Sequence, residues 1–253
     1  MRDASAKPGI RSHTTFAGRA ANVTGYNAGL GVAIAQELSC RGASVVANHP
    51  SPALADDAQR VVSGLLTVPT SIAVEADLST EGGPRRLIDA AVARYKTVHV
   101  LVNNSGLAVN KPTLRNWKKL VGLNARTVFS LVQAVLSHLP DPSHSTQEHP
   151  QSDGGHILSI VSISSRAIYA GPNGMVDNLT KELPPRYDCT VNAMCLGSTM
   201  TAGFAAAGQE FMKDTAPVKA QTPMGHRLAR LEETASGVGL ICEPRAGSIN
   251  GLI

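Results

Sequence analysis

From residue 19 onward, short β-rich runs alternate with helical stretches, and this alternation narrows the possible folds more than any other feature of the chain. Residues 19–24, 43–48, 72–76, 98–102, 157–161 and 190–195 read as strands. Residues 29–40, 53–66, 85–95, 115–139 and a shorter stretch near 176–183 read as helices. The run at 98–102, VHVLV, is almost continuously apolar, which suits a strand buried on both faces of a parallel sheet. Strands and helices in this order build repeated right-handed βαβ units and predict an α/β, Rossmann-type doubly wound parallel sheet. The chain has 253 residues, 43% of them hydrophobic, with no internal repeat or linker. One domain over residues 17–253 is therefore expected, after a flexible arm at 1–16.

Composition removes several alternatives. A formal net charge of +4 is spread in scattered pairs such as Arg85–Arg86 and Lys118–Lys119. It forms no basic stripe with interleaved aromatics, so no nucleic-acid partner is expected. No run reaches the roughly 18 consecutive apolar residues of a membrane helix, and the N-terminus lacks the apolar core of a secretory signal. No membrane partner is expected. Cys40, Cys189, Cys195 and Cys242 show no C-x-x-C spacing and read as reduced, mostly buried thiols of a cytoplasmic protein. The polar insertion at 140–155, PDPSHSTQEHPQSDGG, lies among His138, His144, His149 and His156. Their spacings match no usual ligand pattern, so a solvated loop is expected and a metal is not.

The first strand runs into the first helix through residues 24–31, TGYNAGLG. Glycine at 25 permits a tight turn, glycine at 29 lets a pyrophosphate approach the backbone, and glycine at 31 lets the helix pack closely on the strand. The first-turn N–H groups of that helix then face the phosphates, aided by the helix dipole. Other features fall at strand ends, where such a fold opens its ligand crevice: Asn48 and His49, Asp77 and Leu78, and Asn103-Asn104-Ser105-Gly106. An acidic residue at the end of strand two would bond a free ribose 2′-hydroxyl and repel a 2′-phosphate. Its absence favours NADP(H) over NAD(H), although no Arg or Lys stands there to grip the phosphate.

Together these residues resemble the short-chain dehydrogenase/reductase family, with a look closest to fungal reductases of the ketoacyl or secondary-metabolite type. The family's TGxxxGxG turn is matched by residues 24–31, which places Gly25, Asn27, Gly29, Leu30 and Gly31 against the cofactor. Its adenine-contacting acid is matched by Asp77, beside Leu78, and its NNAG motif by Asn103, Asn104, Ser105 and Gly106. Its helix asparagine is matched by Asn124 and its catalytic serine by Ser162. Its Asn-Ala-x-x-Pro-Gly-x-x-x-Thr stretch is matched by residues 192–201, with Leu196 in place of proline and Gly197, Thr199 and Thr201 near the cofactor. The resemblance implies an NAD(P)(H)-dependent oxidoreductase that interconverts a small-molecule carbonyl and a secondary alcohol by hydride transfer. In that chemistry a tyrosine hydroxyl acts as general acid, a lysine four residues on lowers its pKa, and the serine polarises the carbonyl.

The chain breaks this pattern at one point. None of Tyr26, Tyr95, Tyr169 and Tyr187 is followed four residues later by lysine. Ungapped alignment from the later helix puts Tyr169 at the tyrosine position, with Asn173 in place of lysine. Alignment from Ser162 makes Tyr169 a loop residue and deletes the motif after Met175. Gly171, Pro172 and Gly174 oppose a helix there and favour the deletion. Lys181 is the nearest remaining cation. The family's last sheet strand is also expected to be missing, which weakens the fold and any homo-oligomer contact along that edge. Asn22, inside strand one, needs buried partners. Residues 200–216 fall where the family carries its substrate lid, with Phe204, Phe211 and Met212 as candidate pocket residues or as one side of a plain amphipathic helix. Two functions follow: an active oxidoreductase using Ser162, Asn124 and Tyr169, or a non-catalytic nucleotide-binding sensor or scaffold on the same fold. The losses fit either a degenerate member or an imperfect gene model.

Overall fold

The computed structural model describes residues 14–26, 29–107, 113–141, 154–162, 178–201, 213, 216–220 and 225–252. Six parallel strands lie in the order β3-β2-β1-β4-β5-β6: β1 (Ala20–Val23), β2 (Ser44–His49), β3 (Ile72–Glu75), β4 (Val100–Asn103), β5 (Gly155–Ser162) and β6 (Cys189–Leu196). Between them run helices α1 (Leu30–Cys40), α2 (Ala55–Ser63), α3 (Gly83–Tyr95), α4 (Leu114–Val121) and α5 (Thr127–Val135), and α6 (Leu231–Ile241) follows β6. The strand–helix alternation and the doubly wound sheet are as the sequence predicts.

Each helix is held by an apolar stripe at helical spacing. α1 buries Ala33, Ile34, Ala35 and Leu38 against α6 and one face of the sheet, in a core that includes Val23, Val45, Val100 and Val238. α3 buries Leu87, Ile88 and Ala91 beside Leu131 and Val135 of α5 on the other face. A fully buried Leu or Ile of this kind contributes roughly 1.5–3 kcal/mol, so the two cores fix which way the sheet faces. Core packing reaches back to Phe16, which is fully buried and donates its N–H to the Arg41 carbonyl (2.9 Å).

Some details depart from the sequence reading. The stretch read as one helix over 115–139 contains a π-helical turn at Gly122–Arg126 between α4 and α5. The whole run Leu114–His138 is a 25-residue helix long and apolar enough to cross a membrane, although it contains no unbroken apolar run of that length. Here Leu131, Val132 and Val135 are buried in the core beneath the sheet. Cys189 and Cys242 are buried, Cys195 is half-buried and Cys40 is exposed, and all four thiols are free. Burial pushes the Cys189 and Cys242 thiols up to about 12, Asp188 adding to the effect on Cys189, so both stay protonated and inert.

Among the described residues no seventh strand forms. Residues 249–252 nevertheless lie along the outer edge of β6. Gly251 N–H donates to the Val191 carbonyl (3.0 Å), and Ala193 N–H donates to that of Leu252 (2.7 Å). Asn192 and Asn250 fasten this segment with their side chains, to Ile249 O and Leu252 N, and to Val191 N and Thr180 O.

Candidate functional site: a crevice at the carboxyl ends of the strands

The strand order reverses between β1 and β4, and at such a switch point the loops leaving the strands diverge and open a crevice. Thr24 joins the two strand ends. Its hydroxyl donates to Val102 O (3.3 Å) and accepts the N–H groups of Asn104 and Ser105 (both 2.9 Å). The Asn104 amide returns the contact, donating to Thr24 O (2.8 Å) and Gly25 O (3.2 Å). The turn that follows tolerates only glycine at its tightest point. A Cβ on Gly31 would lie closer than 3.0 Å to the Gly25 carbonyl.

Gly29, with φ of 63°, is the N-cap of α1. Gly29 has no side chain to cap that helix end, and the helix's first turn carries no acid. The Thr201 side chain lies 3.6 Å from where a Gly29 Cβ would stand, which brings the stretch after β6 to the turn. Residues 198–201 are held by a short parallel bridge, Met200 N–H to Ala229 O and Ala229 N–H to Ser198 O, both 3.0 Å. The Thr199 hydroxyl bonds Gly197 O (3.2 Å). A helix N-terminus with uncapped amides, entered through a glycine that leaves its approach clear, fits the pyrophosphate of a dinucleotide.

Beside the turn lies a cleft of about 210 Å³ lined by Gly25, Asn48, Pro50, Asp77, Leu78, Ser79, Ser105, Gly106 and Leu123. Asp77 Oδ1 accepts both the N–H (2.9 Å) and the hydroxyl (2.7 Å) of Ser79, so one carboxylate oxygen is already used in shaping the loop into α3. Asn124 sits in the π-helical turn and pairs with the backbone of Leu107, donating to its carbonyl (2.9 Å) and accepting its N–H (2.8 Å). Thr127, just past that turn, donates to Leu78 O (2.6 Å). The turn therefore ties the exits of β3 and β4 together. Extra-residue turns of this kind recur at functional sites.

The structure thus brings together Gly25, Gly29, Leu30, Gly31, Asn48, Asp77, Leu78, Asn103, Asn104, Ser105, Gly106 and Asn124, with Thr201 beside the turn. Ser162 is the last residue of β5, at the same edge of the sheet. Its side chain lies outside the described residues, as do Asn27, Tyr169, Phe204, Phe211 and Met212. Sequence reasoning passed over Thr24, Pro50, Ser79 and Leu123. Thr24 was visible as part of the turn motif, and Ser79 as the second residue after an Asp that can close an Asx turn.

The three described tyrosines do not serve this crevice. Tyr26 is fully buried in the core, where desolvation raises its phenol pKa. Tyr95 ends α3 and bonds Thr70 O, and Tyr187 lies on the short helical turn Pro184–Tyr187 that leads into β6. Lys181 is exposed.

A model of the short chain dehydrogenase family matches residues 19–210. The chain belongs to that family. An oxidoreductase of Methylorubrum extorquens is 32% identical over 249 residues, spanning 92% of this chain and 94% of the relative. Among fungal short-chain dehydrogenases, FrzI of a Cladobotryum species is 30% identical, spanning 89% of each chain. Another, claC of Passalora fulva, is also 30% identical and spans 93% of this chain and 92% of its own. The crystal structure of a short chain dehydrogenase from Burkholderia cenocepacia in complex with NADP matches with a TM-score of 0.79 at 26% identity, covering 94% of this chain and 96% of that one. A short-chain dehydrogenase/reductase from Serratia marcescens matches to the same degree. This chain is therefore an oxidoreductase by family, on the family's sheet.

Proposed function

We propose that this short-chain dehydrogenase binds NADP(H) in preference to NAD(H) and serves the interconversion of a small carbonyl compound and its secondary alcohol. The observation that carries the proposal is the built crevice, with an α1 N-terminus entered through Gly29, a turn that admits only glycine at position 31 and a neighbouring cleft whose β2 end carries an amide instead of a carboxylate. When bound, the nicotinamide supplies or accepts the hydride. The chain's own contributions are phosphate binding by the first-turn amides of α1 and by Thr201, and adenosine packing between Asp77, Leu78 and Leu123. Asn124 holds the Leu107 backbone at the crevice wall. Ser162 and Tyr169 are the proposed groups at the substrate carbonyl. Four free thiols fit a reducing compartment, and we place the protein in the cytoplasm.

A second reading is favoured by one observation: the sequence has no Tyr-x-x-x-Lys, so a phenol acting without its cation would be slower by about two or more orders of magnitude. On that reading the chain binds the nucleotide as a sensor or scaffold and does not turn over. Fluorescence titration with NADPH and NADH, followed by NADPH consumption with a panel of small ketones, separates the two. Tight NADPH binding with turnover supports the oxidoreductase, and binding without turnover supports the scaffold. Failure to bind either nucleotide overturns both.

A further inference from the structure

The residue that closes the π-helical turn Gly122–Arg126 reaches out of its own helix. Thr127 donates its backbone N–H to the Gly122 carbonyl, the five-residue spacing that makes the turn π-helical. That leaves the Thr127 hydroxyl proton for the carbonyl of Leu78, at 2.6 Å, although the hydroxyl oxygen also stands 2.9 Å from Gly122 O. Thr127 and Leu78 are 2% and 3% exposed, so water does not compete for this bond. Arg126, one residue earlier, donates to the carbonyl of Ser79 but lies at the surface. The loop they hold is stiff in itself. Asp77 Oδ1 takes the N–H and hydroxyl of Ser79, and the Asp77 carbonyl takes those of Thr80 (3.1 and 2.7 Å). On its other side the turn holds the backbone of Leu107 through Asn124. Leu78 and Ser79 of the loop, Leu123 of the turn, and Ser105 and Gly106 just before Leu107 all line the same cleft.

We infer that Thr127 is a positioning residue whose hydroxyl latches the loop after β3 to the π-helical turn, so that the adenosine half of a bound nucleotide sets the crevice wall at Leu107. The inference rests on the proposed nucleotide-binding reading and adds to it a residue that does not itself line the cleft. Three separate pieces of chain line the cleft, and an adenine ring gains all its contacts only while they stand together. The Thr127–Leu78 bond and the Asn124–Leu107 pair are the two joints of that assembly. With both made, ordering of the loop passes to Leu107. With the first broken, the loop settles on the nucleotide while the turn is left behind. Valine at 127 is close to threonine in size but has no proton to give, so a buried carbonyl loses its donor. Serine keeps the proton. The latch favours neither dinucleotide, since both contain the same adenosine.

Amide hydrogen exchange followed residue by residue by NMR tests the latch in the full chain. The probe is 2′,5′-ADP, or 5′-ADP if the parent prefers NADH, which supplies the adenosine half without nicotinamide; its concentration is set for equal occupancy in each protein. In the parent the probe is expected to slow exchange at Leu107 by about tenfold. Thr127→Ser is expected to keep that protection. Thr127→Val is expected to bind the probe about tenfold more weakly and, at equal occupancy, to protect Leu107 by less than about twofold, with Leu101 in the core of β4 unchanged. A purely structural role would speed exchange at Leu101 and Leu107 alike. The inference is overturned by a parent that binds the dinucleotide but not the probe, or by one whose Leu107 is unprotected at saturation, and neither result needs a variant to fold. Full protection in Thr127→Val, or lost protection in Thr127→Ser, overturns it as well. If the parent binds neither NADPH nor NADH, the nucleotide-binding reading falls, and exchange without nucleotide still decides the latch. Leu107 is then expected to exchange about fivefold faster in Thr127→Val than in the parent or Thr127→Ser, and equal rates in all three show that there is no latch.

Discussion

Asn22 occupies the middle of β1, paired in register with Val46 and Leu101, both fully buried. The sequence implied that this amide needed partners, but neither its oxygen nor its nitrogen has one among the described residues. A buried polar group in that state costs about 1–3 kcal/mol relative to a satisfied one. Asn22→Leu, of similar volume, is therefore expected to stabilise the protein by about 1 kcal/mol, seen as a higher urea midpoint at an unchanged m-value. A lower midpoint would show that the amide is worth keeping. His156, at the start of β5, is a second buried polar group and bonds Thr190 Oγ1 through Nδ1 (2.8 Å). Burial, with a smaller contribution from the Arg19 charge, lowers its pKa to about 4. The unfolded chain then binds the extra proton between pH 6.5 and 4 and the folded chain does not. Stability from this residue is complete above about pH 6.5, declines as pH falls and is lost below about 4, by on the order of 2–3 kcal/mol. Urea unfolding across that range should show a shallower decline in His156→Gln than in the parent, and parallel curves would refute the assignment.

The elements show where local sequence suffices and where packing decides. The spacing of Gly25, Gly29 and Gly31 made the turn legible, and the structure gives each glycine a reason. Gly31→Ala would drive a methyl into the Gly25 carbonyl. It is expected to cost about 1–3 kcal/mol of stability and to abolish nucleotide binding, measured by thermal melting with and without NADPH. A melting rise with NADPH equal to the parent's would contradict this. The start of α3 was not legible. Gly82, Gly83 and Pro84 look like loop, but α3 begins at Gly83 because a residue without a Cβ can rest against the Asp77 carbonyl and proline suits the first turn. The π-helical turn was equally hidden, since one inserted residue leaves the apolar spacing of 115–139 nearly intact. Asn124 was recognised as a site residue by motif, but its pairing with Leu107 spans two elements and no local pattern encodes it. The same holds for Asn48, which accepts the N–H of Gly25 and donates to the Ala76 carbonyl, both just past the ends of the neighbouring strands β1 and β3.

At the scale of the whole molecule the sheet has two unlike borders. β3 is a four-residue border strand, short enough to offer little to a passing chain. β6 is eight residues long and would present a long row of outward N–H and C=O groups. Residues 249–252, fastened by Asn192 and Asn250, occupy part of that row and act as a guard on the sheet. The consequence concerns solubility more than catalysis. A chain ending at Ser248 should keep its crevice, since the turn and cleft lie at the carboxyl ends of β1 to β4, yet expose a ready template for strand pairing between molecules. Light scattering on mild warming should rise in a concentration-dependent way in the shortened chain while NADPH affinity stays within about twofold of the parent. Equal scattering from both chains would show that the guard is dispensable.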